Sequence, residues 1–191
     1  GGLQLALWGA FKKVCIADLA AKAVNNVFAD VHSYNGTLLA LGALLFCIQV
    51  YCDFSGYSDI AIGVARMLGY DLIVNFRQPF LSRSIQEFWT RWHISLGGWF
   101  RDYVYIPLGG NRVSTWRWCR NILIVFFLSG LWHGAAWTFI LFGVIQGIWI
   151  LVERFTFGRI GKTERGKKLL KTAPVQVLRW AITSVVWILS F

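Results

Sequence analysis

The chain has 191 residues, of which 57% are hydrophobic, 17% aromatic and only 15% charged. This composition is more apolar than that of a soluble domain of the same length, so we expect an integral membrane protein. A net charge of +10 is also typical of nucleic-acid-binding proteins, but the basic residues are spread between apolar segments instead of forming one face, which excludes that class. Because the apolar segments are continuous, they predict an all-α protein.

The two ends of the chain are expected to be truncated. The chain starts at Gly1 without an initiator Met, and its last apolar stretch, residues 180–191, has only twelve residues. A helix that crosses a bilayer needs about 20 residues, so this stretch is too short for a span. No charged segment followed by a short apolar core marks a cleavable signal peptide.

The first half of the chain predicts an interfacial helix followed by a broken helix. Residues 3–28 have helical spacing, but four charged side chains interrupt their apolarity, namely Lys12, Lys13, Asp18 and Lys22. Residues 38–52 form an uncharged helix that runs into Asp53 and Asp59. Because carboxylates facing lipid are costly, we expect a broken or water-lined helix there. The two carboxylates either cap the broken ends or relay protons.

The distribution of basic residues predicts the topology. Residues 31–65 contain no Lys or Arg, whereas residues 154–171 contain seven. Loops rich in Lys and Arg stay in the cytoplasm, so the second segment is predicted to be cytoplasmic. The polar loop at residues 30–37 is then expected on the opposite side of the membrane.

Residues 85–100 predict one amphipathic helix that lies flat on the membrane or dips into it. Their apolar side chains recur at steps of three and four and share one stripe, formed by Ile85, Phe88, Trp89, Trp92, Leu96 and Trp99. Glu87 and Arg91 make a favourable pair on the polar side. His93 lies at the border of the stripe. Beyond this helix, Arg101 and Asp102 predict an interfacial ion pair.

Residues 122–152 are uncharged, and His133 and Gln146 are their strongly polar side chains. An ionisable group at membrane depth usually has a function, and for His133 we expect proton transfer. The segment fits one tilted span, two spans or a hairpin that returns to the same side. Basic residues on both flanks favour a return path. Eleven helical residues rise about 16 Å, which predicts that His133 lies near the middle of the membrane.

Five ordered motifs resemble the membrane-bound O-acyltransferase family, most of all its bacterial alginate and peptidoglycan O-acetyltransferase branch. They are YCDFSGYSDIA at residues 51–61, NF and PF at 75–76 and 79–80, EFWTRWHISL at 87–96, RDYVYIPLGG at 101–110 and LWHGA at 131–135. The resemblance runs from about residue 11 to residue 157. It implies that the chain is the central to C-terminal portion of a single multi-spanning domain more than twice as long, in which broken and interfacial helices surround a funnel.

The resemblance also implies an activity and its residues. The family's essential histidine matches His133 and its second histidine matches His93. Members take an acyl group from a cytoplasmic thioester such as acetyl-coenzyme A, which is not a bound cofactor, and pass it to a hydroxyl outside. We therefore expect a bacterial inner-membrane enzyme with an exported polysaccharide acceptor and periplasmic acetyltransferase partners. Relatives often carry a further histidine where this chain has Gln146.

The chemistry of acyl transfer fits a buried histidine. The acceptor hydroxyl needs a base, and burial would keep His133 neutral and able to take the proton, with His93 supporting. No serine has a nucleophile-elbow context, which favours direct transfer. Arg83, Arg91 and Arg101 either meet donor phosphates or face lipid headgroups. The three histidines include no i,i+4 pair, so no metal site is predicted, and the four cysteines are interpreted as packing residues. The alternative function is a subunit that transports acyl groups or protons without catalysis of its own.

Overall fold

The computed structural model describes residues 1–190, and this part of the chain is helical. The ten α-helices are α1 (Gly2–Phe11), α2 (Asp18–Ala29), α3 (Gly36–Met67), α4 (Ile85–Arg91), α5 (Ile94–Phe100), α6 (Thr115–His133), α7 (Trp137–Phe155), α8 (Phe157–Ile160), α9 (Glu164–Leu170) and α10 (Ala173–Ser190). Two π-helical segments, Lys12–Ala17 and Arg101–Tyr105, continue α1 and α5. The all-α prediction is therefore confirmed.

Within the described residues, three helical stretches are long and apolar enough to cross a membrane, judged by length and composition. They are Gly36–Met67, Trp137–Ile160 and Ala173–Ser190. The chain divides into two compact units, Gly1–Phe76 and Arg77–Phe191. The membrane character inferred from composition agrees with candidate spans in both units.

The first unit is an antiparallel pair of long helical segments. A Cβ atom added to Gly9 would lie 2.5 Å from the carbonyl oxygen of Gly56, and one added to Gly2 would lie 2.5 Å from that of Gly63. The residue numbers rise along α1 while they fall along α3, which establishes the antiparallel direction. Helices in membranes associate by close packing of small residues, because lipid leaves little hydrophobic driving force. Glycine at these four positions lets the two backbones touch.

The predicted break in the second helix is wrong, because α3 runs without interruption for 32 residues. Asn35 caps its start by accepting a hydrogen bond of 2.9 Å from the backbone N–H of Leu38. The carboxylates inside the helix also do not cap helix ends. Asp59 lies 2.8 Å from Lys12 Nζ, and Asp53 lies 2.5 Å from Lys13 Nζ. Since lysines of the opposing segment neutralise both carboxylates, α3 needs no break to hold them.

In the second unit, α6 and α7 form an antiparallel hairpin joined by residues 134–136. A Cβ on Gly130 would meet the backbone of Phe139, and a Cβ on Gly143 would meet the carbonyl oxygen of Phe126. This close approach excludes a single tilted span and brings both flanks of the segment to the same end of the helix pair, as the predicted return path requires. Helix α6 begins at Thr115 and has 19 residues, which gives a length of about 28 Å. Both the two-span and the hairpin interpretations fit that length.

An aromatic core joins α4, α7 and α10 of the second unit. The rings of Phe88 and Trp187 have centroids 4.0 Å apart, and Phe88 stacks on Trp92 at 5.6 Å. Phe142 of α7 lies 5.9 Å from Trp187 and 6.1 Å from Trp89. Large rings supply many contacts with few rotatable bonds, so this core fixes the position of α4. That position matters because α4 leads directly to His93.

Candidate active site

Helix α4 is stabilised by its own sequence. Ser84 accepts a hydrogen bond of 2.9 Å from the N–H of Glu87, and a carboxylate oxygen of Glu87 accepts one of 2.8 Å from the N–H of Arg83. This arrangement resembles a capping box, except that the Glu87 carboxylate accepts from the N–H of Arg83, one residue before the N-cap Ser84. Glu87 also pairs with Arg91 at 2.6 Å, as predicted. The Arg91 guanidinium contacts the carbonyl oxygen of Gln78 as well, so local contacts already engage it.

The single helix predicted over residues 85–100 is wrong, because the chain breaks between α4 and α5. Trp92 is extended, and His93 has a φ of 45°, in the left-handed region. That conformation is uncommon for residues other than glycine and often occurs at functional sites. The apolar spacing resumes after the break, so a pattern of threes and fours cannot reveal one left-handed residue. Because of this break, the backbone at His93 has an orientation that a continuous helix would not allow.

His133 is the last residue of α6, and two aromatic rings of α7 lie beside it. Its imidazole centroid lies 6.4 Å from that of Phe139 in a stacked arrangement and 6.2 Å from that of Phe142 in an edge arrangement. A Cβ at Gly134 would lie 2.6 Å from the Phe139 ring, so glycine there makes room for this ring. The hairpin thus places His133 against the face of one aromatic ring and near the edge of another.

The two predicted catalytic histidines both lie beside Trp132. The ring of His93 is 5.9 Å from that of Trp132, and the ring of Trp132 is 5.0 Å from that of His133. The residues are 40 positions apart in sequence, so only the fold brings them together. One indole therefore contacts both imidazoles.

The prediction that His133 is buried is wrong, because this side chain is exposed in the structure. Helix α6 ends at this residue, and the neighbouring Trp132 and Trp137 are exposed as well. A ring at the tip of a hairpin has neighbours on the helix side and few on the other. The imidazole is consequently lined by aromatic side chains on one side and accessible from the other.

His93 is more enclosed than His133, and its surroundings favour the neutral imidazole. Burial, with a smaller contribution from the nearby His133, lowers the pKa of His93 to about 4. Desolvation disfavours the imidazolium, and a second imidazole close by adds to that effect. His93 is therefore uncharged at neutral pH and has one ring donor and one ring acceptor.

Gln146 takes part in a buried hydrogen-bond chain that the sequence did not reveal. Its side chain is fully buried, accepts a bond of 3.2 Å from the indole N–H of Trp89 and donates one of 2.7 Å to the hydroxyl of Ser190. The amide thus links α7 to both α4 and α10. At the position where relatives often carry a further histidine, this chain therefore has a side chain that forms hydrogen bonds but does not titrate.

Glu153 is a second residue that the sequence reasoning missed. Its buried carboxylate accepts hydrogen bonds of 2.9 and 3.1 Å from the backbone N–H of Ile85, at the start of α4. The signal available in the sequence was an acid directly after the apolar segment and before the basic one. That signal does not predict which group the carboxylate contacts, because its partner Ile85 lies 68 residues away in the sequence.

The other residues singled out from the sequence lie outside this site. Arg101 and Asp102 form the predicted ion pair at 2.8 Å, and both are exposed. Arg83 is exposed near the start of α4, and His32 is exposed in a short turn. Of the cysteines, Cys47 and Cys52 are buried, which fits packing, whereas Cys15 is exposed.

The family profile of the membrane-bound O-acyltransferases matches residues 3–190. The chain belongs to this family. "Probable alginate O-acetylase AlgI" of Azotobacter vinelandii is 51% identical over 146 residues, which is 76% of this chain and 29% of that protein. AlgI of Pseudomonas fluorescens is 44% identical over 96% of this chain and 35% of its own length. The peptidoglycan O-acetyltransferase of Helicobacter pylori is 40% identical over 95% of this chain and 33% of its own length.

This chain spans about a third of the length of the curated relatives that it matches. The family resemblance stated from the motifs is therefore confirmed. The matched region contains both histidines, Trp132 and the helices that hold them.

Proposed function

We propose that this chain is the histidine-bearing part of a membrane-bound O-acyltransferase. The enzyme passes an acyl group, in our proposal acetyl, from a cytoplasmic thioester to a hydroxyl of an exported polysaccharide or exported partner. The juxtaposition of His93 and His133 about Trp132, in a chain of this family, is the observation that carries the proposal. The relatives named alginate O-acetylase and peptidoglycan O-acetyltransferase support a polysaccharide acceptor.

His133 acts as the general base in the proposed reaction. A ring nitrogen takes the proton of the acceptor hydroxyl while the hydroxyl oxygen attacks the thioester carbonyl carbon. The C–O bond forms, the C–S bond breaks, and the imidazolium returns its proton to the departing thiolate. The exposed side of the His133 ring gives substrates access, while Phe139 and Phe142 hold the other side.

His93 supports the base without being charged. A neutral imidazole can donate a hydrogen bond to the carbonyl oxygen of the thioester, where negative charge develops in the tetrahedral intermediate. A protonated ring would instead repel the imidazolium that forms on His133. The lowered pKa of His93 keeps the pair from carrying two positive charges at neutral pH.

The cellular setting follows from the same proposal. The basic segment at residues 154–171 faces the cytoplasm and the loop at residues 30–37 faces outward, in a multi-pass protein of the bacterial inner membrane. Acetyl-coenzyme A or another acyl thioester supplies the group from the cytoplasm. Periplasmic acetyltransferase partners work with the enzyme on the exported polymer.

The test compares His133→Ala with His32→Ala in the full-length protein at equal abundance in membranes. Labelled acyl donor is supplied, and label on the acceptor is measured. Loss of the base lowers transfer by about 10²–10⁴-fold, whereas His32 lies in an exposed turn, so its replacement leaves transfer unchanged. Undiminished transfer by His133→Ala contradicts the catalytic assignment.

A second arm separates catalysis from transport of acyl groups or protons. The His133→Ala protein is assayed with donor, acceptor and the exported partners in detergent, where no membrane has to be crossed. A transporting subunit predicts that acylated acceptor still forms at the rate of the unmodified protein. A catalytic His133 predicts the same loss in detergent as in membranes.

A further inference from the structure

Helix α7 holds helix α4 at two points. At the first, both carboxylate oxygens of Glu153 accept hydrogen bonds from the backbone N–H of Ile85, at 2.9 and 3.1 Å, and the N–H of Gln86 lies 3.5 Å from one of them. At the second, the indole N–H of Trp89 donates to the Gln146 side chain at 3.2 Å. We call these two contacts the α4 clamp.

The spacing of the clamp residues follows from helix geometry. Gln146 and Glu153 are seven residues apart, which is about two turns, so they share one face of α7. Ile85 and Trp89 are four residues apart and share one face of α4. Two contacts along one line fix both the position of α4 along α7 and its rotation about its own axis. A single contact would leave one of these motions free.

Both anchors of the clamp are themselves held. Gln146 donates to the Ser190 hydroxyl of α10 at 2.7 Å, which orients its amide so that the oxygen faces Trp89. Glu153 is only 9% exposed, and the positive charge of Arg179 acts on its carboxylate. A buried carboxylate persists when hydrogen bonds and a nearby cation compensate for lost solvation.

The clamp lies directly upstream of His93. Helix α4 ends at Arg91, the N–H of Trp92 donates to the carbonyl oxygen of Phe88 at 2.9 Å, and His93 follows in the left-handed conformation. A shift or rotation of α4 therefore moves His93. The same helix α7 carries Phe142, which contacts the His133 ring. Contacts from one helix, α7, thus help to position both imidazoles.

We propose that Glu153 is a positioning residue, which acts with Gln146 through α4 to hold His93 beside Trp132 and His133. This role rests on the proposed acyltransferase function. Glu153 contacts the α4 backbone, not the reacting atoms, and its effect on transfer is transmitted by the place of His93. The carboxylate suits this position because its two oxygens can accept from two successive backbone donors.

The experiment measures the accessibility of His93 and acyl transfer in the same full-length variants. Glu153→Ala removes both acceptors, and Trp89→Phe removes the indole donor of the second contact while an aromatic ring is retained at that position. Thr183→Val is the matched control, because Thr183 is equally buried but bonds a carbonyl oxygen within its own helix. Diethyl pyrocarbonate modification of His93 at pH 7 is followed by mass spectrometry of its peptide, with the exposed His32 as internal reference.

The clamp predicts faster modification of His93, relative to His32, in both Glu153→Ala and Trp89→Phe. Because His93 is already neutral at pH 7, the rate reports its exposure and not a change of charge. A displacement of about 1 Å at a catalytic group can cost 10²-fold, so kcat of Glu153→Ala falls by about that factor while KM for the acyl donor changes little. Glu153→Gln retains one acceptor oxygen and loses less activity. Thr183→Val leaves the rate of His93 modification, kcat and KM unchanged.

Unchanged His93 modification in Trp89→Phe and in Glu153→Gln overturns the positioning role, even if both variants melt earlier. These two conservative variants decide the matter if Glu153→Ala fails to accumulate. The accessibility readout does not require enzyme activity. If His93 modification rises while His133→Ala still transfers acyl groups, the clamp stands and the proposed function fails.

Discussion

The two compact units of the chain treat polar side chains in opposite ways. In the first unit, Lys12 Nζ lies 2.8 Å from an Asp59 oxygen and 2.9 Å from the Ser55 hydroxyl, so charged groups pair with charged or polar partners. In the second unit, the ring of His93 lies beside that of Trp132, and the ring of the exposed His133 lies beside those of Trp132, Phe139 and Phe142. Titratable groups are present in both units, and those of the second include two imidazoles that share one neighbouring indole.

This difference teaches that an ionisable residue in an apolar chain has to be judged by its neighbours. A lysine and an aspartate that pair across two helices satisfy each other, and their charges are used in packing. A neutral imidazole against aromatic rings gains little by pairing, yet it can accept or donate a proton. The first arrangement predicts effects of substitution on stability, and the second predicts effects on chemistry.

The largest stability effect is expected from breaking the pairing in the first unit. Lys12→Met leaves Asp59 without its cation and lowers the free energy of unfolding by about 3 kcal/mol. The double variant Lys12→Met/Asp59→Leu recovers much of that loss, because both charges are gone. Thermal unfolding of the full-length protein in detergent measures both, and acyl transfer per folded molecule stays normal. A large loss of acyl transfer in the well-folded double variant would contradict the view that this charge pair of the first unit acts on stability and not on chemistry.

A smaller stability effect is expected at the hairpin of the second unit. Gly143→Ala drives a methyl group into the carbonyl oxygen of Phe126 and costs about 1–3 kcal/mol, measured as a lower melting temperature. The matched control is Gly98→Ala, because a Cβ at Gly98 would meet nothing within 4 Å. Replacing this helical glycine stabilises the protein by about 0.5–1 kcal/mol. Equal shifts for the two variants would show that the close approach of α6 and α7 is unimportant.

A pH effect is expected at His93 in the second unit. The pKa of His93 falls from 6.5 to about 4 on folding, so the unfolded chain binds more protons between these values. The stability that depends on neutral His93 is complete above pH 6.5 and is lost as the pH falls from 6.5 towards 4. Melting temperatures at pH 7.5 and pH 5 should therefore drop further for the unmodified protein than for His93→Gln. His32→Gln should follow the unmodified protein, and equal drops for all three would contradict the lowered pKa.

The smallest effect is expected at the exposed ion pair of Arg101 and Asp102. Both side chains are largely in solvent, at 65% and 49% exposure, where screening and side-chain entropy offset the attraction. Arg101→Gln should leave the melting temperature unchanged at both low and high salt. A clear loss of stability at low salt would mean that this surface pair contributes as the more enclosed Lys12–Asp59 pair of the first unit does.

Much of the fold was predictable because its signals are local. Apolar segments without charge predicted the helices, the basic flanks predicted the return of the α6–α7 hairpin, and the histidines in the EFWTRWHISL and LWHGA motifs indicated where chemistry could occur. The predicted break in α3 failed because the partners of Asp53 and Asp59 lie 40 and 47 residues upstream, where Lys13 and Lys12 were assigned to an interfacial helix. A local interpretation of a charge cannot include a distant partner.

The sequence by itself determined that this is an all-α membrane protein of the O-acyltransferase family, with His93 and His133 as the residues to test. Only the tertiary structure decided that one indole lies beside both imidazoles, that His93 adopts a left-handed conformation, and that Glu153 bonds a backbone 68 residues away. Helix formation follows from hydrogen bonds and apolar spacing within a few residues. The site depends on contacts between distant segments, which are fixed only when the helices pack.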